Sequence, residues 1–328
     1  MTRHRLPKAT AIAHSNIALA KYWGKKDETQ NLPATPSLSM TLDALHTTTS
    51  VQFVERLEED EVTLNGSRLT GEDLERLSLF MDRIRNLSGL ALAARVESNN
   101  NFPTASGLAS SASGFAALAL GATRAAGLEL PRSEVSALAR LGSASAARSL
   151  FGGYVALELD ALSAIPVLSG DGFPLQLLVC VVTTLPKDKS SRLGMGHTAK
   201  TSPYYPAWVA SAPAVYTRIR EALLAQDFEK LGRATEHSAL LMHASMFAAD
   251  PPLNYWLPTT LALLARVTEL RGAGLPAYAT MDAGPHVKVI CEPINTRALA
   301  AALELVPGVK QVMVCSPGPD AAVKVEPT

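Results

Sequence analysis

Residues 98–120, with the sequence SNNNFPTASGLASSASGFAALAL, constrain the fold of this chain more than any other stretch. The pattern predicts the end of a strand, a loop of small residues, and an alanine-rich helix that begins near Leu108. Gly107 allows the backbone to approach a ligand closely, and Ser106, Ser110 and Ser111 add hydroxyl donors around the turn. Unpaired N–H groups and the positive end of the helix dipole would face the loop, which favours an anion such as phosphate. Close packing of two elements explains the same composition equally well, so composition leaves both interpretations open.

The order of residues in the loop is more informative than its composition. The pattern Pro103-x-x-x-Gly107-Leu108-x-Ser110-Ser111-Ala112 resembles the phosphate loop of the GHMP kinase superfamily, which is neither a Walker loop nor a dinucleotide fingerprint. Residues 100–111 are similar to one branch of that superfamily, the mevalonate diphosphate decarboxylases. The resemblance implies that ATP and Mg²⁺ bind here, with Ser110 as the suggested metal ligand. It implies nucleotide contacts from Asn101, Pro103, Ser106, Gly107, Leu108, Ala109, Ser110 and Ser111.

Bulk composition limits the classes of protein to which this chain can belong. Its 328 residues, 47% of them hydrophobic, are enough for one large or two ordinary domains. Thirty basic and thirty acidic residues cancel, which predicts no general attraction to nucleic acid or to a membrane. The three cysteines lie far apart, which suggests a reducing, cytoplasmic setting. Polar residues interrupt the basic N-terminus, so we expect no signal peptide, and no apolar run is long enough to span a bilayer.

The N-terminal region carries a second motif. Residues 10–26 begin as a predicted strand and continue into a loop that contains Lys21, Tyr22, Trp23, Gly24, Lys25 and Lys26. Three lysines beside two aromatic residues, taken alone, indicate an ordinary solvated turn. The segments 16–18, 21–25, 31–33 and 37–39 together match the N-terminal pattern of the same decarboxylase family. The resemblance implies that Lys21 takes part in catalysis and that Tyr22 and Lys25 bind substrate.

Several segments are interpreted as scaffold without chemistry. Residues 38–42 and 48–54 alternate apolar and polar side chains, which predicts two paired, half-buried strands. Asn65-Gly66 predicts a tight hairpin turn. Thr70 is predicted to cap a helix whose apolar stripe includes Leu74, Leu77, Met81, Ile84 and Leu87.

Residues 142–149 carry a candidate substrate arginine. If this segment is helical, Ser145 and Arg148 lie at positions i and i+3 and face the same way. A planar guanidinium suits a carboxylate or a phosphate, although an isolated arginine of this kind more often forms a surface salt bridge. The continuation Phe151-Gly152-Gly153 favours the functional interpretation. The resemblance implies that Arg148 holds the substrate carboxylate, with Ser143 and Ser145 nearby.

The middle of the chain contains the predicted domain boundary. Residues 175–184 predict a buried strand, and a basic loop with Pro, Lys and Ser residues follows. That change in composition places the boundary near residue 185, so that 1–185 form an ATP-binding domain and 186–328 a C-terminal domain. The family pattern Lys-x-x-Ser-Ser-x-x-Gly-Met is present at 187–195, and the resemblance implies that Ser191 and Arg192 contact substrate phosphates.

Three helices are predicted at about 206–225, 227–246 and 258–271. His237 and His243 are six residues apart, which is not the spacing of a helical zinc pair, so we reject a metal site there. They are interpreted as lining a packed helix face, at the rim of the cleft.

The C-terminal part supplies the candidate catalytic carboxylate. Two strands, 278–281 and 287–291, flank Asp282-Ala283-Gly284-Pro285. An aspartate before Gly-Pro is usually a turn-former, but this tetrapeptide is the family signature, and the resemblance makes Asp282 catalytic. Many relatives have asparagine where this chain has His286, which puts nearby phosphate contacts in doubt. A helix near 295–305, a strand near 309–315 and a loose C-terminal tail complete the prediction.

The resemblance extends over about residues 10–315. It implies an α+β, two-domain GHMP-kinase-like fold, with a ribosomal S5 domain 2-like N-terminal domain and a ferredoxin-like C-terminal domain. The implied activity is ATP-dependent decarboxylation of mevalonate 5-diphosphate to isopentenyl diphosphate, by a cytoplasmic homodimer. Two alternatives within the branch stay open: a mevalonate 5-phosphate decarboxylase, and an enzyme that phosphorylates C3 without decarboxylation. A non-catalytic nucleotide-binding regulator is the remaining alternative from another class.

Overall fold

A computed structural model describes residues 6–102, 110–185 and 189–326. The strands are β1 (Lys8–Ala20), β2 (Lys25–Asp27), β3 (Leu32–Pro33), β4 (Ser37–Val54), β5 (Glu61–Leu64), β6 (Ser67–Arg68), β7 (Ala93–Asn100), β8 (Tyr154–Leu157), β9 (Ile165–Leu168), β10 (Gln176–Val181), β11 (Tyr278–Met281), β12 (Val287–Cys291), β13 (Gln311–Cys315) and β14 (Ala322–Glu326). The α-helices are α1 (Gly71–Ser88), α2 (Ser110–Ala125), α3 (Arg132–Gly142), α4 (Ser191–Thr201), α5 (Tyr205–Leu224), α6 (Phe228–Phe247), α7 (Pro258–Gly272) and α8 (Thr296–Glu304). Short 3-10 helices lie at Ala144–Leu150 and Pro293–Asn295.

The first half of the chain forms a mixed sheet with helices against it. The strand order is β14-β1-β4-β7-β5-β6, and β8 and β9 extend the sheet from the first part of β4. The apolar residues of α2 pack on β1 and β4, and alanines dominate the contact, so this helix lies close to the sheet. The predicted turn at Asn65-Gly66 is confirmed, because Leu64 pairs with Ser67 and both turn residues have positive φ.

Strand β4 corrects one sequence prediction. Residues 38–42 and 48–54 do not pair with each other but belong to the same 18-residue strand. Its first part pairs with β8 and its second part with β7, while β1 runs along nearly its whole length. Alternation alone could not distinguish two paired strands from one long strand, because both have the same period.

The two faces of β4 have different environments. Leu38, Met40 and Leu42 belong to an apolar core that also includes residues of β10 and α5. The intervening Ser37, Ser39 and Thr41 are buried polar residues on the opposite face. A hydroxyl-bearing surface therefore lies inside the protein, and that surface contacts the site described below.

The second half contains a four-stranded antiparallel sheet with the order β11-β12-β10-β13. Its strands follow the chain order strand, helices, two strands, helix, strand, which is the ferredoxin-like arrangement that the sequence predicted. Helices α5, α6 and α7 agree with the three predicted helices within a few residues. The C-terminal residues are not a loose tail, however, because β14 pairs with β1 at the edge of the first sheet. In the described residues, no helix is long and apolar enough to cross a membrane.

Candidate active site

The C-terminal end of β1 and the turn between β11 and β12 bring together residues that are distant in sequence. Lys21 follows β1 directly, and its Nζ lies 2.6 Å from Oδ1 of Asp282, which follows β11. The backbone N–H of Lys21 also donates to Oγ of Ser238 on α6, at 3.0 Å. Two of the predicted catalytic residues are therefore in direct contact.

A second lysine contacts the same carboxylate. Lys288 lies in β12, is fully buried, and places Nζ 3.1 Å from Oδ2 of Asp282. Burial by itself would raise the pKa of Asp282, but the charges and hydrogen bonds of Lys21 and Lys288 outweigh it and hold that pKa well below its ordinary value. Asp282 is therefore ionised at neutral pH, and 23% of its side chain is exposed, so that a ligand can reach it.

The surroundings of Lys21 destabilise the protonated form of its side chain. Burial lowers the pKa of Lys21 to about 8; Asp282 opposes that shift, whereas Lys288 and Arg148 add to it. Its proton is therefore held much less tightly than that of an exposed lysine.

Arg148, the residue predicted to hold the substrate carboxylate, lies close enough to this pair for its charge to act on Lys21. It belongs to the 3-10 helix, which puts Ser145 one turn before it, as the sequence predicted. Its guanidinium donates from Nε to Oγ of Ser39 at 2.9 Å and from Nη1 to Oγ of Ser37. Nη2 donates to Oδ1 of Asn16 at 3.2 Å. Burial lowers the pKa of Arg148 to about 10, so it stays charged.

The partners of Arg148 are all neutral. Among the residues that the structure describes, no carboxylate forms an ion pair with it, although it is only 2% exposed. The charge of Asp282 favours the charged form of Arg148 from nearby, but a buried charge without a direct ion pair is still costly. With Lys21, Lys288 and Arg148 against the single carboxylate of Asp282, the buried cluster (these four residues) has an excess of positive charge that suits an anionic ligand.

Hydroxyl groups connect this cluster with the start of α2. Ser143 Oγ lies 3.2 Å from Ser145 Oγ and 3.5 Å from Ser111 Oγ. Ser111 and Ser110 are the first two residues of α2 in the described part of the chain. The predicted substrate serines thus lie between Arg148 and the helix N-terminus at which the phosphate loop is expected.

Part of the predicted phosphate loop cannot be compared with the structure. Pro103, Ser106, Gly107, Leu108 and Ala109 lie outside the described residues. The side chain of Asn101 is occupied by β4, since Oδ1 accepts from the backbone N–H of His46 at 2.8 Å and Nδ2 donates to the carbonyl of Ala44 at 2.8 Å. Asn101 therefore fixes the entry to the loop, and its contact with a nucleotide stays a prediction.

A second group of cations lies nearer the surface. The exposed Arg192, in the first turn of α4, is close enough to Lys25 and to Arg76 to lower the pKa of each, although burial is the larger cause in both cases. Arg76 and Arg192 line an open cavity of about 240 Å³ that Gly142 also borders. We call Lys25, Arg76 and Arg192 the outer cation group. Ser191, the first residue of α4, is half-buried next to Arg192.

The loop that carries Lys21 to Lys25 is fixed by close packing. Gly24 has φ of 98°, and a Cβ atom there would lie 1.8 Å from Oη of Tyr205 on α5. Trp23 is buried, and its carbonyl accepts from the indole N–H of Trp208 at 2.9 Å. Tyr22 is half-buried, and burial raises its pKa while nearby Arg148 opposes the shift. Tyr22 is therefore close enough to Arg148 to feel its charge, and its contact with substrate stays a prediction.

The two histidines of α6 differ from the prediction. His237 is exposed, whereas His243 is fully buried behind the Asp282 turn rather than at a rim. Burial, followed by the charge of Lys21, lowers the pKa of His243 to about 3, so it is neutral. Its Nε2 lies 3.4 Å from the indole Nε1 of Trp256. The nearby Glu236 pairs with Arg271 at 3.1 Å and so supports β11 rather than the site.

His286 also has a structural position. It is fully buried, and its Nδ1 accepts a hydrogen bond from the backbone N–H of Val182 at 3.2 Å. It therefore connects the Asp282 turn to the end of β10. Burial lowers the pKa of His286 to about 3, with the charge of Lys288 acting in the same direction.

Sequence reasoning missed Lys288, Arg76 and the pair Ser37 and Ser39 as members of the site. The family pattern contained Ser37 and Ser39, but nothing in it indicated that they hold Arg148. Lys288 could have been suspected, because a lysine inside an otherwise apolar strand needs a buried partner.

Comparison with known proteins gives a consistent result over nearly the whole chain. Residues 13–164 match the family described as diphosphomevalonate decarboxylase-like N-terminal domain. Residues 177–318 match the family described as mevalonate 5-diphosphate decarboxylase C-terminal domain.

Two relatives differ in the substrate that their names give. The chain is 34% identical to the diphosphomevalonate decarboxylase of Candida albicans, over 88% of this chain and 85% of that protein. It is also 34% identical to the phosphomevalonate decarboxylase of Haloferax volcanii, over 86% of this chain and 87% of that protein.

Solved structures match the fold closely. Mevalonate diphosphate decarboxylase from Staphylococcus aureus is 37% identical with a TM-score of 0.92, over 97% of this chain and 98% of that one. MDDEF in complex with MVAPP, AMPPCP and magnesium is 39% identical with a TM-score of 0.90, over 98% and 99% of the two chains. The α+β, two-domain GHMP-kinase-like fold expected from the sequence is thereby confirmed.

Proposed function

Because this chain belongs to the diphosphomevalonate decarboxylase family, we propose that it converts mevalonate 5-diphosphate and ATP to isopentenyl diphosphate, ADP, phosphate and CO₂. The reaction is a step of the mevalonate pathway of isoprenoid biosynthesis. The observation that carries the proposal is the buried cluster: one ionised carboxylate, Asp282, held by two lysines beside an arginine whose partners are all neutral.

Arg148 is proposed to bind the substrate carboxylate. Each of the three guanidinium nitrogens donates one hydrogen bond, to Ser37, Ser39 or Asn16, and these bonds fix the plane of the group. A guanidinium has five N–H donors, so three hydrogen bonds leave donors of Arg148 that can bind a carboxylate. Because these hydrogen-bond partners are neutral, the positive charge of Arg148 is available to pair with an anionic ligand.

The outer cation group is proposed to bind the terminal diphosphate. The proposal is supported by the effect of Arg192 on Lys25 and Arg76 and by the open cavity that Arg76 and Arg192 share with Glu72 and Glu75. A diphosphate carries more charge than a monophosphate and can use more of these donors. Tyr22, Ser143, Ser145 and Ser191 are proposed to line the path between the two ends.

The first chemical step is phosphoryl transfer to the tertiary C3 hydroxyl. Its O–H bond breaks as the new O–P bond forms, ADP leaves, and the proton goes to the carboxylate of Asp282. A strongly basic group is not needed, because charge in such a transition state lies mainly on the transferred phosphoryl group. Asp282, although its pKa is low, can therefore orient the hydroxyl and accept its proton late.

The second step is loss of phosphate and of CO₂. The C3–O bond breaks with its electron pair on phosphate, and the electron pair of the bond to the carboxylate carbon forms the new double bond. Arg148 must hold the carboxylate in place without stabilising its charge too strongly, because that charge disappears as CO₂ forms. Positioning the carboxylate is therefore a larger part of the role of Arg148 than binding it tightly.

The described residues at the start of α2 are compatible with binding of MgATP. The start of α2, with Ser110 and Ser111 and no acidic residue in its first turn, is compatible with phosphate oxygens. In the described ranges, no three metal-ligating side chains are clustered, which suits a Mg²⁺ held chiefly by phosphates and one protein oxygen such as Ser110. When bound, Mg²⁺ neutralises charge that develops on the phosphate oxygens.

The test is ADP release and CO₂ release measured in parallel with mevalonate, its 5-phosphate and its 5-diphosphate. We expect one CO₂ for each ADP, and kcat/KM for the diphosphate about 100-fold above that for the monophosphate, which equals about 2.7 kcal/mol. ADP without CO₂ would instead identify a 3-kinase, and ATP binding without turnover a regulator.

A mevalonate 5-phosphate decarboxylase is the second candidate, supported by the similarity to the Haloferax volcanii protein. The outer cation group favours the diphosphate, since three cations exceed what a monophosphate needs. A higher kcat/KM for the monophosphate would select the second candidate and leave the proposed chemistry intact.

The remaining assignments are also proposals. We infer a cytoplasmic homodimer that has no nucleic-acid or membrane partner. The three buried free cysteines support a reducing setting, and the balanced charge supports the expectation of no nucleic-acid or membrane partner. The domain boundary near residue 185 stays a prediction; the two family matches end at 164 and begin at 177, and β10 (Gln176–Val181) belongs to the second sheet.

A further inference from the structure

Lys288 is a fully buried lysine in a strand that is otherwise apolar. The flanking Val287 and Val289 belong to the core of the second sheet. In the sheet, Lys288 pairs with Thr280 on one side and with Val179 on the other. Its ammonium lies 3.1 Å from Oδ2 of Asp282, at the edge of the buried cluster.

Packing alone does not explain this residue. Removing an ammonium group from water costs several kcal/mol, and an apolar residue of similar volume often stabilises a core at least as well. Nor is Lys288 needed to neutralise Asp282, because Lys21 already pairs with Oδ1 at 2.6 Å. Lys288 therefore adds one positive charge beyond the one that pairs with Asp282, and it contacts the second oxygen of the same carboxylate.

The two lysines hold different oxygens of one carboxylate. A carboxylate fixed through a single oxygen can still rotate about its terminal torsion, whose energy profile is broad. With an ion pair to each oxygen, at 2.6 Å and 3.1 Å, rotation of the group is restricted, and each oxygen keeps further lone-pair positions for a substrate hydroxyl.

We propose that Lys288 is a positioning residue, which holds Oδ2 of Asp282 so that the carboxylate meets the substrate hydroxyl in one orientation. This inference rests on the function proposed above. It assigns Lys288 no contact with substrate; its effect reaches the reaction through Asp282, for which small errors in placement cost rate.

The charge of Lys288 also acts on Lys21, which provides an independent measurement. The ionisable groups around Lys21 are Asp282, Lys288, Arg148 and the neutral His243. Because a positive neighbour disfavours protonation, removing the Lys288 charge must raise the pKa of Lys21 from its value of about 8. This shift reports that the charge of Lys288 reaches Lys21, whereas the positioning of Asp282 is reported by a loss in kcat without a matching change in KM.

The experiment compares wild type with Lys288→Met and Lys288→Gln in steady-state kinetics with mevalonate 5-diphosphate and MgATP between about pH 6.5 and 10. The control is Lys324→Met, which removes an exposed lysine from strand β14. Since kcat/KM reports the free enzyme, its alkaline limb in wild type should reflect loss of the Lys21 proton near pH 8.

We expect both Lys288 variants to lose about 10- to 100-fold in kcat, with KM within about threefold of wild type. Their alkaline limb should move upward by about 0.5–1 pH unit, as expected for loss of a nearby charge. The control should match wild type in both respects. Wild-type kcat, or an unmoved alkaline limb in a folded variant, would overturn the proposal.

The possible failures can be told apart. If wild type releases no CO₂, the proposed function is wrong, whatever the variants do. If wild type is active and the variants equal it, only the inference is wrong. If circular dichroism shows that the methionine variant is unfolded, the glutamine variant decides, because it keeps a hydrogen-bond donor near Oδ2 without the charge.

Discussion

Replacing Arg148 by lysine separates the charge of this residue from its shape. Lysine keeps one positive charge at the site but offers a single nitrogen instead of a planar group with five N–H donors. In the protein, three different nitrogens of Arg148 reach three different acceptors, on Ser39, Ser37 and Asn16. One ammonium cannot reproduce that arrangement and also present two donors to a carboxylate.

The expected loss follows from these contacts. A hydrogen bond to a charged group contributes about 1.5–3 kcal/mol, and the lysine variant loses at least one of two parallel bonds to the substrate carboxylate. A second cost arises because the carboxylate is no longer fixed in direction. We therefore expect a loss of about 2–3 kcal/mol of transition-state stabilisation, which is about 30- to 160-fold in kcat/KM.

The assay is CO₂ release under kcat/KM conditions, with Arg140→Lys as the matched control. Arg140 is also an arginine that is only 2% exposed, but it donates to the backbone carbonyls of Leu162 and Gln30. The control should lose thermal stability, as Arg148→Lys does, while its kcat/KM stays within about threefold of wild type. If Arg148→Lys keeps wild-type kcat/KM, or if both variants lose the same activity, Arg148 is structural and the proposed carboxylate contact is wrong.

Three further variants test the catalytic carboxylate, the outer cation group and the packing behind the site. Asp282→Asn should bind both substrates with nearly normal affinity and lose at least about 10³-fold in kcat, since it cannot accept the hydroxyl proton; turnover within tenfold of wild type would make Asp282 only a turn residue. Arg192→Ala should reduce kcat/KM more for the 5-diphosphate than for the 5-phosphate, so an equal loss for both would remove Arg192 from the diphosphate site. Gly232→Ala should lower the free energy of unfolding in urea by about 2–3 kcal/mol, because its Cβ would lie 1.9 Å from the Tyr278 ring; a change below about 0.5 kcal/mol would show that α6 and β11 can separate at little cost.

The sequence by itself determined the features that are encoded locally. The phosphate-loop pattern at 103–112, the Lys21 loop and the Asp282 turn are short segments in which the order of residues is specific enough to identify the family. Helices α5, α6 and α7 were predicted with similar accuracy, because each has several turns of amphipathic pattern. The family, and with it the fold and the proposed reaction, followed from these segments in their order along the chain.

Local patterns were ambiguous where the partner of a segment lies far away in sequence. Alternation at 38–42 and 48–54 fits two strands as well as one, and the pairing partners of β4 decide between them. The C-terminal residues 322–326 are a short segment with no pairing partner nearby in sequence, yet β14 forms because the edge of β1 supplies its hydrogen bonds.

Only the tertiary structure decided how the charges of the site are combined. Lys21 and Asp282 are 261 residues apart, and Lys288 joins them only because β11 and β12 form a hairpin at the end of β1. Ser37 and Ser39 hold Arg148 because the polar face of β4 lies against the 3-10 helix. The pKa of a group depends on its burial and on charges within a few ångströms. Neither quantity can be read from the order of residues. The sequence therefore predicted which residues belong to the site, whereas their protonation states depend on the tertiary structure.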